Sequence, residues 1–236
     1  MSITENVAKV RRQLELAAME AGRDPRSILL CAATKMNDAD AVREAIAAGV
    51  DCCGENRVQE LTAKLAQNAY DGASVHFIGH LQTNKVRQVV GKVALIQSVD
   101  SPHLLDAIDA EARRQGICQD VLLEVNIGQE ASKSGFRQED ILPFLDQCGK
   151  YTNICIKGLM AIPPISQNLG DNVKFFEKMS VLCVDIRRKK YDNVTVDCLS
   201  MGMSGDYADA IRCGSTMIRI GTAIFGPRYV ATLHQP

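Results

Sequence analysis

Eight short apolar runs recur along the chain roughly every 25–30 residues, the first seven each followed by a stretch with helical spacing and the last by no more than a helical stub. The runs cover 28–35, 50–53, 75–79, 94–99, 121–126, 154–160, 195–199 and 217–220. Helical spacing follows over 39–48, 54–68, 83–90, 102–115, 139–148, 173–188 and 207–212. Such runs, rich in branched side chains and free of internal polar alternation, suit strands covered on both faces. Strict strand–helix alternation implies a parallel sheet, and eight repeats imply a closed (β/α)8 TIM barrel. A doubly wound open sheet is the alternative if one run is not a strand. No Gly-x-Gly-x-x-Gly follows an early strand, which counts against a dinucleotide fold.

A preceding helix is expected from Val7, Val10, Leu14, Ala17 and Ala18, with Gly22 and Pro25 ending it. The 236 residues then read as one barrel domain spanning 1–236, long enough to bury a full core. Net charge is −1 and the sequence pI is near 6.4, so there is no basic field to attract nucleic acid. No apolar run reaches membrane-spanning length, and the N-terminus lacks a signal-type apolar core. Nine cysteines are present without any Cys-x-x-Cys pair. Reduced thiols in a cytoplasmic protein are expected, and a zinc ribbon is not.

In such barrels the chemistry lies at the C-terminal ends of the strands. Reading only those positions gives Lys35, Asn56, His80, Asn126, Met160, the 200–204 segment, Arg219, Gly221 and Thr222. Lys35 ends the first run, where an amine with its stem in apolar packing can serve as a Schiff-base nucleophile. A lysine reaching from a strand end into water is the competing reading. Only about one free lysine in two thousand is neutral at pH 7, so a neighbouring cation such as Arg219, together with burial, would matter.

Ser200-Met-Gly-Met-Ser204-Gly205-Asp206 and Gly221-Thr222 offer hydroxyls and bare amides at adjacent strands, where barrel enzymes often hold phosphate. Ordinary capped turns would look the same. A strand-end lysine opposite a phosphate site suggests pyridoxal 5′-phosphate, which carries both an aldehyde and a phosphate. Arg219 cannot accept a proton, so against a pyridine nitrogen it would leave the ring neutral and a weak electron sink. His76 and His80 straddle a strand end and do not make a helical metal motif, so no metal is expected. Asp38 and Asp40 read as helix N-terminal charges, Met201 and Met203 as packing, and Lys133 as a solvated loop lysine.

These stretches together resemble the YggS/PROSC family of pyridoxal phosphate homeostasis proteins. The resemblance is carried by Ala-Ala-Thr-Lys35, Gly54-Glu-Asn-Arg-Val-Gln-Glu60 and His76-Phe-Ile-Gly-His-Leu-Gln-Thr-Asn-Lys85. Ser132-Lys-Ser-Gly135, Gly158-Leu-Met-Ala-Ile162, Leu199-Ser-Met-Gly-Met-Ser-Gly-Asp206 and Arg219-Ile-Gly-Thr-Ala-Ile-Phe-Gly226 complete it. It implies a barrel like the N-terminal domain of alanine racemase, with the cofactor held as an internal aldimine on Lys35. By the same resemblance Arg219 would meet the pyridine nitrogen, and Ser200, Ser204, Gly221 and Thr222 the phosphate. Asn56, His80 and Met201 would line the ring.

The implied role is to buffer or deliver pyridoxal 5′-phosphate, with apo-enzymes as recipients and without an established reaction; a monomer is expected because nothing in the chain covers the barrel mouth. A racemase or isomerase using Tyr207 or a neighbouring chain as second base is the alternative reading. An aldolase that uses Lys35 directly is a third.

Overall fold

A computed structural model describes residues 2–130, 132–165, 168 and 170–227. Eight parallel strands close into a barrel in sequence order. They are β1 (Leu29–Ala33), β2 (Cys52–Glu55), β3 (Ser74–Phe77), β4 (Leu95–Val99), β5 (Gln119–Val125), β6 (Ile154–Ala161), β7 (Val194–Ser200) and β8 (Met217–Ile220). The helices are α1 (Ile3–Glu20), α2 (Ala39–Ala47), α3 (Val58–Leu65), α4 (Pro102–Gln115), α5 (Ile141–Leu145), α6 (Val173–Lys189), α7 (Tyr207–Arg212) and α8 (Thr222–Phe225). No described helix is long and apolar enough to cross a membrane.

Two cores explain the unbroken apolar runs. Alternate strand residues such as Leu30, Ala32, Phe77, Ile96, Leu123 and Ile218 point outward under the helices, meeting Val42, Leu61, Ile108, Phe176 and Ile211. The intervening residues fill the lumen, where Cys31, Cys52, Leu95, Leu122, Met160 and Met217 form a separate cluster. A period of two with both sets buried leaves no polar alternation to read. The closed ring also removes sheet edges. At β6 the register shifts against both neighbours near Gly158. There φ is +146°, and a Cβ would lie 1.8 Å from the Cys198 carbonyl oxygen, so β6 and β7 approach as only glycine permits.

α1 begins with a capping box in which Ser2 and Glu5 satisfy each other's backbone amides, and it packs on α2, α7 and α8. Three boundaries differ from the sequence reading. Gly54 and Glu55 belong to β2, and α3 starts only at Val58. Gly54 passes so close to Ile78 and Cys31 that a Cβ would come within 2.7 Å of Ile78, while Glu55 is buried against a lysine instead of marking a solvated helix start. The 83–90 segment is a 3-10 helix over Thr83–Gln88. The 139–148 segment breaks into the short α5 between 3-10 turns at Gln138–Asp140 and Cys148–Lys150; Pro143 lacks the N–H a longer helix needs.

Candidate functional site

Lys35 lies two residues beyond β1, on a turn held from behind by a buried polar network. Thr34 Oγ1 donates to Glu55 Oε1 at 2.6 Å, and Tyr70 Oη donates to the same oxygen at 3.1 Å. Lys64 Nζ donates to the Thr34 carbonyl at 2.8 Å and also ion-pairs with Glu55. Met36 follows with φ of +62°, and its amide donates to Glu60 Oε2 at 2.6 Å. An αL residue other than glycine carries strain, which this carboxylate bond offsets. Asn37 Nδ2 reaches back to the Lys35 carbonyl at 3.0 Å, and Asp38 caps α2 through the Ala41 amide. The Lys35 backbone is thus clamped on both sides.

On the neighbouring strand Arg219 is 4% exposed and lies in register with Cys31. Its Nη1 donates to Ser200 Oγ at 2.5 Å and its Nη2 to the Ala161 carbonyl at 3.0 Å. Both acceptors are neutral, and among the described residues no carboxylate lies within ion-pair distance of it. Burial pulls its pKa below the ordinary value, opposed chiefly by Cys31 and Glu124. Two of five N–H groups are thereby spent, leaving donors for a further neutral acceptor.

Ser200 is wholly buried, and its hydroxyl proton goes to Gln97 Oε1 at 2.7 Å. Gln97 Nε2 in turn donates to His76 Nδ1 at 2.9 Å. Burial pushes His76 down to about 4, so the ring is neutral and can accept. A polar chain therefore descends through the lumen from Arg219 to His76. Ser200, expected at the phosphate, here directs its one donor to Gln97 while its oxygen accepts from Arg219.

Lys35, Met36, Gly221, Thr222 and Phe225 line one cleft of about 280 Å³ at the C-terminal mouth. Gly221 and Thr222 open α8, and the Ala223 amide donates to Ser204 Oγ at 3.3 Å. Ser204 therefore meets the first turn of α8, beside this cleft. Its loop is braced by Asp206, which accepts from the Met203 amide at 2.7 Å and from Asn172 Nδ2 at 2.8 Å. The fit to a phosphorylated carbonyl cofactor is good: an amine and a rim of small residues, hydroxyls and amides share a cleft, above a cation lacking an anionic partner.

Asn56 follows β2 with its Oδ1 buried and without a partner among the described residues. Its backbone runs against Gly79, where a Cβ would fall 2.1 Å from the Asn56 carbonyl oxygen. His80 is 60% exposed; its Nδ1 stands 3.1 Å from Asp100 Oδ2 and 3.5 Å from Ser134 Oγ, so it bridges β4 and the 132–135 loop. Asn126 holds that loop through the Glu130 and Lys133 carbonyls. Lys133 pairs with Glu130 at 2.6 Å.

Met201, expected to line the ring, is fully buried and packs among the core residues. Tyr207 cannot act as a second base at the mouth in this conformation, since its hydroxyl donates to Gln13 on α1 at 2.6 Å.

Sequence reading missed Glu55, Lys64, Gln97 and Glu124. The available signal was a polar residue inside an apolar run, as in Leu-Ile-Gln97-Ser and Leu-Leu-Glu124-Val. Glu124 is half-buried and its carboxyl is pushed up to about 7, chiefly by desolvation and then by Asp100, with Arg219 opposing. Also unanticipated is a lumenal group of Cys31, Cys52 and His76, whose potential metal-ligand atoms lie within 4.8 Å of one another.

Residues 3–229 match the family "Alanine racemase, N-terminal domain". The pyridoxal phosphate homeostasis protein of Aquifex aeolicus is 39% identical over 228 residues, covering 97% of this chain and 99% of that one. That of Pseudomonas aeruginosa is 40% identical over 228 residues, covering 96% of each. PipY of Synechococcus elongatus, solved with PLP bound, superposes with a TM-score of 0.82 at 32% identity, covering 95% of this chain and 100% of that one. A (β/α)8 barrel of this family, matched nearly end to end by these relatives, is a member of the pyridoxal phosphate homeostasis protein family.

Proposed function

We propose that this chain binds pyridoxal 5′-phosphate at the C-terminal mouth of its barrel and holds it for buffering or delivery. The observation that carries the reading is the single cleft shared by Lys35, Gly221 and Thr222, with the buried Arg219 on the adjoining strand. The names of the relatives and the PLP-bound PipY structure support it.

When bound, the cofactor supplies an aldehyde that condenses reversibly with a primary amine. Lys35 offers the amine from a turn whose backbone is clamped by the Glu55–Lys64 network. Ser204, Gly221 and Thr222 receive the phosphate with hydroxyls and amides. Arg219 takes the ring nitrogen as a hydrogen-bond acceptor, braced from below by Ser200 and Gln97. A guanidinium there does not yield a proton, so the ring nitrogen stays unprotonated and the ring a weak electron sink. Asn56 and His80 flank the ring. Apo-enzymes that need the cofactor are the recipients, the working form is a monomer, and the location is cytoplasmic.

The test is an absorbance spectrum of wild type beside Lys35→Ala after adding pyridoxal 5′-phosphate. Wild type should gain a visible band that borohydride bleaches, leaving the cofactor's mass on Lys35. A variant that keeps the band, or label fixed on another lysine, would refute the assignment.

A further inference from the structure

The base of the barrel, at the end away from the cofactor mouth, carries a thiol pair unlike the other cysteines. Cys118 immediately precedes β5 and Cys155 is the second residue of β6. These strands pair in parallel with Asp120 opposite Cys155, so Cys118 lies diagonal to Cys155 on the same face of the ladder. The two sulfurs stand 2.9 Å apart, inside the separation of two unbonded sulfurs in ordinary contact. Closing to the ~2.05 Å of a disulfide requires less than an ångström of motion.

We propose that Cys118 and Cys155 form a site of reversible oxidation, closed to an intramolecular disulfide by low-molecular-weight disulfides. Access sets the selectivity. Cys118 is the one exposed thiol of the nine; Cys31, Cys52, Cys53, Cys148 and Cys183 are buried. Both thiols of the pair border an open cleft of about 530 Å³, whose walls include Tyr151, Thr152, Tyr191 and Asn193. A small disulfide can therefore reach Cys118, whereas the lumenal thiols lie behind the strands.

The chemistry balances in two exchanges. The Cys118 thiolate attacks a small disulfide RSSR, forming a mixed disulfide and releasing RS⁻, which takes up a proton. The Cys155 thiolate then attacks the Cys118 sulfur, forms the Cys118–Cys155 bond and expels the second RS⁻. Two protein thiols are oxidised, and one RSSR is reduced to two RSH. Desolvation and then the neighbouring thiol push Cys118 up to about 11, so its attack is slow near neutrality and quickens with rising pH. The bond would tie β5 to β6, the span that carries Glu124 and the 132–135 loop.

The experiment uses the full chain, reduced and then incubated with oxidised glutathione. Thiols counted under denaturing conditions should fall from nine to seven, with a mass loss of two hydrogens and one crosslinked Cys118–Cys155 peptide. Dithiothreitol should restore all nine. Because thiolate is the attacking form, the rate should rise about tenfold per pH unit near neutrality. Cys155→Ser should stop at a stable glutathione adduct on Cys118, and Cys118→Ser should leave Cys155 unmodified. A wild-type chain that keeps all nine thiols, retains an adduct, or crosslinks other cysteines would overturn the proposal.

Discussion

Glu124 should make this fold lose stability as the solution becomes less acidic. Its carboxyl is raised from an ordinary 4.5 to about 7, first by desolvation and then by Asp100, with Arg219 pulling the other way. The folded chain therefore keeps a proton that the unfolded chain has released. Its contribution to stability is greatest below about 4.5, falls as pH rises through the window to about 7, and is flat above it. At ~1.4 kcal/mol per tenfold change in proton affinity, the full cost of ionising the folded group is about 3 kcal/mol. Water reaching a half-buried carboxylate lowers this, so about 1–3 kcal/mol is expected. Glu124→Gln keeps the shape and removes the titration. Urea unfolding of both proteins without pyridoxal 5′-phosphate, from about pH 5 to about pH 8, should show the variant gaining stability over wild type as pH rises. Curves that stay parallel across that range would refute the reasoning.

Other substitutions probe the clamp and the rim. Lys64→Met should cost about 3–5 kcal/mol in the same unfolding assay, because it leaves the wholly buried Glu55 without its cation; a loss below about 1 kcal/mol would mean the pair is not structural. Ser204→Ala should weaken pyridoxal 5′-phosphate binding about 10–150-fold in a spectroscopic titration, the worth of one hydrogen bond to a charged group. Ser200→Ala should weaken it less, acting only through Arg219; the reverse order would restore Ser200 to the phosphate. Gly79→Ala should displace the Asn56 backbone, 2.1 Å from the added methyl, and cost about 1–3 kcal/mol of stability together with cofactor affinity.

The barrel was legible because strand and helix periods differ and most strands are buried on both faces, β7 with its exposed Thr195 and Asp197 being the main departure. The bounds of α4, α7 and β8 fall where spacing placed them, and in the fold Ser101 caps α4 while Gly116 ends it in the left-handed region. The β2 end was misread because a glycine and a glutamate look like a loop or helix start when the burying partner, Lys64, is unseen. Site positions at strand ends were legible for the same topological reason. Their hydrogen bonds were not: Ser200 meets Gln97 across 103 residues, and no local pattern announces a partner so distant. A serine beside glycines suggested an anion loop, but only the fold reveals that its hydroxyl points down the axis.

The column of Arg219, Ser200, Gln97 and His76, packed among sulfur-bearing side chains, corks the barrel just below its rim. Nothing can thread through such a plug, so a visitor must arrive and depart by the same door. How long it stays is then governed by the loops around that door, while the staves beneath merely keep it from sinking.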